Sequence, residues 1–158
     1  MRLSTKGRYG LKAMYDLAIH HGDGPIALKS IAERQRISDH YLEQLVAVLR
    51  KSELVKSVRG AQGGYMLARA PEEITVGDII RALEGPLGPS ECVLEEDAQV
   101  CDHAECCVTR VVWEKIRISI SDVIDSISLQ DMLNDYMKMK PKLQSMYEVQ
   151  ESVAEENV

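Results

Sequence analysis

The sequence contains no phenylalanine and a single tryptophan, and aromatic residues make up only 4% of its 158 positions. Its core must therefore be aliphatic, built from Leu, Ile, Val, Met and Ala. No apolar run approaches the roughly 20 residues that a bilayer-spanning helix needs. The basic stretch Met1–Lys12 lacks the apolar segment and small-residue cleavage site of a secretory signal. No membrane association is expected, and a cytoplasmic location follows. The Gly-rich loops that cradle nucleotide phosphates are missing. So are a nucleophile–base pair and a pair of carboxylates in a recognisable pocket. These absences argue against an enzyme.

What is present is 45% hydrophobic and 28% charged, the profile of a globular protein and not of a disordered chain. A length of 158 residues supports one ordinary domain with an extension. The net charge of −6 hides an asymmetry. Residues 1–70 hold 12 Lys/Arg against 6 Asp/Glu, and residues 71–158 hold 7 against 19. A basic first half suits an anionic polymer, while an acidic second half favours solubility.

Leu11, Met14, Tyr15 and Ala18 recur at helical spacing and predict a helix over 8–21, ended by Gly22, Gly24 and Pro25. A short helix follows over 29–35, with Ile31 and Ala32 facing inward. Ser38 reads as the N-cap of a longer helix to Lys51, whose apolar stripe is Tyr41, Leu42, Leu45, Val48 and Leu49. Two helices joined by so short a turn suggest a helix-turn-helix, whose second helix would enter a DNA major groove by its N-terminal part. That part carries Ser38, His40, Tyr41, Glu43 and Gln44. Ser, Gln and Glu side chains can bond base edges. Helix pairs of this spacing also occur in proteins that bind no DNA.

The next segment favours DNA. Residues 54–58 and 65–67 read as strands around the turn 59–64, a hairpin placed directly after the recognition helix as a wing would be. Arg59 at its tip suits a minor groove, although it also reads as a solvated turn residue. Arg50 and Lys56 suit phosphate. The fold class expected is mainly α with a small β-hairpin wing.

Arg2-Leu3-Ser4-Thr5-Lys6-Gly7-Arg8-Tyr9, Tyr41-Leu42-Glu43-Gln44-Leu45, Val58-Arg59-Gly60 and Gly63-Gly64-Tyr65 together closely resemble the Rrf-two family of winged-helix regulators. The likeness runs from Met1 to about Pro89 and resumes from the cysteines to about Leu133. It implies a homodimer on double-stranded DNA, with Glu43 and Gln44 as base readers and Arg59 as the wing arginine. Gly77–Pro86 is most similar to the family's cysteine-metabolism repressor branch, and the cysteines to its iron–sulfur regulator branch. Arg36 departs from the family, where glycine often stands. A positive φ there would cost on the order of 1 kcal/mol.

Four cysteines fall within sixteen positions, at Cys92, Cys101, Cys106 and Cys107. Clustered thiols in a cytosolic chain suggest a soft-metal site. Cys92, Cys101 and Cys107 match the iron–sulfur branch, which implies a cluster of the 2Fe–2S type. That branch has a histidine three residues after the last cysteine. Arg110 stands there and cannot ligate. Asp102, His103, Glu105, Cys106 or a residue of a second copy remain for the fourth position. A zinc site with His103, direct oxidation of the thiols and plain loop cysteines are the other readings. The alternative function is a cluster-free regulator of cysteine metabolism controlled by a partner protein or by thiol oxidation.

Trp113, Ile116, Ile120, Val123 and Ile127 alternate by three and four, a heptad seam that predicts a dimerisation helix over about 108–126. Ser128 reads as the N-cap of a shorter helix containing Leu129, Met132 and Leu133. The expected organisation is a DNA-binding domain over 1–85, a sensor loop over 86–107, dimerisation and following helices over 108–135, and a C-terminal helix with an acidic, disordered tail over 136–158.

Overall fold

The computed structural model describes residues 3–94 and 106–140. Among these, six α-helices surround one small hairpin. The first is α1 (Thr5–Ile19). It begins three residues before the expected start, because the Ser4 hydroxyl accepts the Lys6 backbone N–H at 3.0 Å and caps the first turn. Its buried face is also rotated from expectation. Met14 and Ala18 are buried as expected, but Gly7, Gly10, Ala13 and Leu17 join them while Leu11 and Tyr15 are only half-buried. The reason is close packing: a Cβ at Gly10 would overlap a Leu83 methyl across the interface with α4.

α2 (Leu28–Gln35) buries Ile31 and Ala32 and ends at Arg36, whose φ of 53° and ψ of 48° are left-handed. The turn then runs through Ile37 into α3 (Asp39–Lys51). α3 buries Leu42, Leu45, Val46 and Leu49. Two stripe members differ from expectation: Tyr41 is half-buried and Val48 is 40% exposed. Ser38 is the N-cap by backbone position, but its hydroxyl makes no capping bond.

Strands β1 (Val55–Val58) and β2 (Gly64–Leu67) pair antiparallel, Val55 opposite Leu67 and Val58 opposite Gly64. Gly60 closes the turn at φ 123°, a conformation L-residues avoid. Ile26, between α1 and α2, exchanges both backbone bonds with Tyr65 at 2.8 and 2.9 Å. The wing is thereby tied to the helix-turn-helix.

α4 (Val76–Glu84) is an element the sequence reading did not assign. Thr75 and Asp78 form a reciprocal capping box at its start, with bonds of 3.0 and 3.1 Å. A 3-10 turn at Glu91–Val93 packs against α5 (Val108–Asp125). A final helix, α6, occupies 129–140. Ser128 caps it as expected, exchanging bonds with Asp131. Leu129 is fully buried in the same core as Met14, Ile31, Leu42 and Leu49.

Candidate nucleic-acid interface and cysteine segment

A buried carboxylate sets the angle between α1 and the helix-turn-helix. Asp16 is 1% exposed. Arg34 of α2 grips it bidentately at 2.6 and 3.0 Å, and the Gln35 amide donates at 2.8 Å. Such a fork fixes orientation as well as distance. None of the three was singled out from sequence, since the pairing joins residues eighteen and nineteen apart.

With α2 fixed, α3 presents its unburied face. His40, Glu43 and Gln44 are all exposed there, with Ser38 just ahead of the helix and Tyr41 on its flank. Gln44 Nε2 lies 3.1 Å from His40 Nε2, so the amide donates to the ring and is held in one orientation. Glu43 makes no ion pair with a described residue. Arg50, Lys56 and Arg59 are exposed, and Arg59 stands at the hairpin tip beside Gly60. Like Arg8 and Lys12 of α1, these cations pair with no described acid. Pairs with an acid do form elsewhere, at Arg34 and Arg69 in the first half and at Arg81, Arg117 and Lys138, three of the six described cations, in the second. Positive charge left unneutralised on α1, α3 and the wing is what a polyanion would meet.

Of the three expected cysteine ligands, Cys101 lies outside the described residues, as do Asp102, His103 and Glu105. Cys92 sits half-buried in the 3-10 turn, its Sγ 3.3 Å from the Ser90 hydroxyl. Cys107 is the N-cap of α5. The Thr109 hydroxyl, 3.1 Å away, and the Arg110 backbone N–H hold its thiol below the ordinary cysteine range. The donor chemistry at Cys107 therefore fits a thiolate-bound group. Among the described residues no three His, Cys, Asp or Glu side chains converge on one point. Arg110 is exposed one turn into α5 and supplies no ligand.

The expected heptad seam divides between two uses. Trp113, Ile120 and Ile127 are half-buried, while Ile116 and Val123 are exposed. Val108 and Val112 extend that exposed part into one side of α5. No residue of α5 is fully buried.

A helix-turn-helix braced by Asp16 and followed by a cation-tipped wing defines a DNA-binding transcription regulator of the winged-helix class. Residues 3–135 match the family described as Rrf2, iron-dependent transcriptional regulator. The chain belongs to that family, as its motifs implied. It is 50% identical over 84% of its length to the HTH-type transcriptional regulator CymR of Bacillus subtilis, covering 89% of that protein. It is 43% identical over 85% to the regulator IscR of Sodalis glossinidius, covering 80% of that protein. The solved structure of T. potens IscR superposes with a TM-score of 0.70 at 58% identity, over 86% of this chain and 88% of that one. These relatives are regulators and not enzymes. No helix among the described residues is long and apolar enough to cross a membrane.

Proposed function

We propose that the chain acts as a cytoplasmic homodimer that reads double-stranded DNA with α3 and the wing. Ser38, His40, Tyr41, Glu43 and Gln44 face the major groove, Arg59 the minor groove, and Arg50 and Lys56 phosphate. The observation that carries this is the exposed His40–Gln44 pair on the helix that leads into the wing, whose arginine pairs with no described acid. Glu43 selects by exclusion: a carboxylate near phosphate is repelled unless a base donor, such as a cytosine amino group, meets it. Two copies meet through the exposed side of α5, where Val112 is 47% and Val123 57% exposed. A duplex selected by the protein from a random pool provides the test. Arg59→Ala with Gln44→Ala should weaken binding to it at least 100-fold, about 3 kcal/mol, and flatten the preference over an unrelated duplex. Undiminished preference would refute the assignment.

Within that regulator, Cys92, Cys101 and Cys107 are the residues that would hold an iron–sulfur cluster. Such a group would supply a bound state that oxidants or iron shortage can remove. The chain's own contribution is position. Cys107 begins α5 and Cys92 lies on a turn packed against α5, so a change at the thiols acts on the dimer helix directly. The second reading is a cluster-free thiol switch, favoured by the Thr109 hydroxyl 3.1 Å from the Cys107 sulfur. Iron, sulfide and zinc analysis of anaerobically purified protein separates them. Iron with sulfide, lost on replacing the three cysteines, supports the cluster. Stoichiometric zinc, or no metal, removes it.

A further inference from the structure

A third element carries positive charge that pairs with no described acid to the side of α3. Arg8 and Lys12 lie one turn apart on the exposed face of α1. The opposite face of that helix is buried through Gly7, Gly10, Met14 and Leu17, so its own domain does not cover them. Their link to α3 runs through rings. The Lys12 ammonium sits 5.6 Å from the centre of the Tyr9 ring. Tyr9 in turn packs edge-on against Tyr41 of α3, with centroids 6.0 Å apart and planes at 81°. Lysine, Tyr9 and Tyr41 thus form one continuous surface leading from α1 to the N-terminal part of α3.

We propose that Arg8 and Lys12 form a phosphate clamp on α1, gripping the DNA backbone beside the groove segment that α3 enters. This rests on the reading of α3 as the recognition helix. The side chains hold the phosphate, and the helix end does not. The Glu84 carboxylate accepts bonds from the Ser4 N–H, the Ser4 hydroxyl and the Gly7 N–H, at 3.1, 2.6 and 2.8 Å. An anion already occupies the start of α1 and repels a second one there. The same three bonds pin the first turn to α4, so the clamp is ordered before DNA arrives and less freedom is lost on binding. Arg8 Nε donates to the Ser4 carbonyl at 3.4 Å, which leaves its terminal nitrogens for phosphate. Phosphate contacts carry no sequence information, so the clamp adds affinity and register only.

The test uses the full chain, a duplex selected by the wild type from a random pool, and an unrelated duplex of equal length. Affinity is measured across a KCl series. Arg8→Gln with Lys12→Gln should weaken both duplexes by the same factor. It should reduce the steepness of log affinity against log salt by about 0.9 per lost contact, about 3.6 for a dimer. Arg8→Lys with Lys12→Arg should keep the wild-type steepness. Lys138→Gln with Lys140→Gln removes the same charge from α6 and should leave the steepness unchanged. A wild-type steepness in the first variant, or an equal change in the α6 variant, overturns the clamp while α3 keeps its role. A wild type that selects no sequence overturns both.

Discussion

α3 and α5 are both amphipathic, yet they end up in opposite conditions. α3 buries four large aliphatic side chains in thirteen residues, and α5 buries none in eighteen. α3 is finished by its own chain, between α1, α2 and α4. α5 leans one side on α4 and the Glu91–Val93 turn and leaves the other bare. On the proposed reading, the helix that would read DNA is packed within one copy, whereas the helix next to the thiols would be completed by a second copy. A signal at the cysteines would then act on a helix with no fully buried residue.

The largest expected effect breaks this contrast at its rigid end. Leu49 is fully buried in the core, so Leu49→Ala should cost about 3 kcal/mol of unfolding free energy, read as a lower denaturant midpoint. Val123→Asp, on the bare side of α5, should instead leave the fold's circular dichroism intact and yield a monomer in sedimentation. A dimeric Val123→Asp protein would show that α5 is not the seam.

The same contrast governs what could be read from the sequence. Helix-turn-helix and wing were legible because their apolar spacing and turn glycines are local. The α1 face was read a few positions off because glycine and alanine look neutral until the Gly10–Leu83 approach is known. α4 announces itself through Thr75 and Asp78, but the stretch attracted attention only for its family likeness. Arg8 and Lys12 were hidden in a count of charges. Only the Tyr9–Tyr41 contact places them beside α3. The Asp16–Arg34 fork left no pattern, because tertiary contacts choose such pairs. In α5 the seam was visible, but the side it turns to its own domain was not, since 3–4 spacing does not name the partner.

A smaller effect probes the bridge between the two regions. Partial burial alone would raise the Glu84 pKa, but bonds from the Ser4 hydroxyl and the Gly7 and Ser4 amides outweigh it and hold the carboxyl below the usual range. A carboxyl lowered in the folded state adds stability above its unfolded pKa, and that stability is lost as pH falls through the folded value. Glu84→Gln keeps an acceptor but no charge. It should cost about 1–2 kcal/mol at neutral pH and flatten the acid limb of stability between those two values, as followed by thermal melts. An unchanged acid limb would mean the clasp does not hold α1.

The smallest effect returns to the turn before α3. Arg36 is left-handed, a conformation that costs a residue with a Cβ about 1–2 kcal/mol. Glycine removes that cost but gains freedom in the unfolded chain, which takes back about half. Arg36→Gly should therefore stabilise by somewhat under about 1 kcal/mol and raise the melting temperature by a few degrees. The strain is held by the packing on either side, with Ile37 and Leu42 buried beyond the turn. If α3 is as rigid as its burial implies, relieving the strain leaves its orientation alone. The variant should then select the same sequence as the wild type, with affinity for all duplexes lowered only by the missing charge. A shifted preference would place Arg36 among the base readers, or show that α3 moves when its turn relaxes.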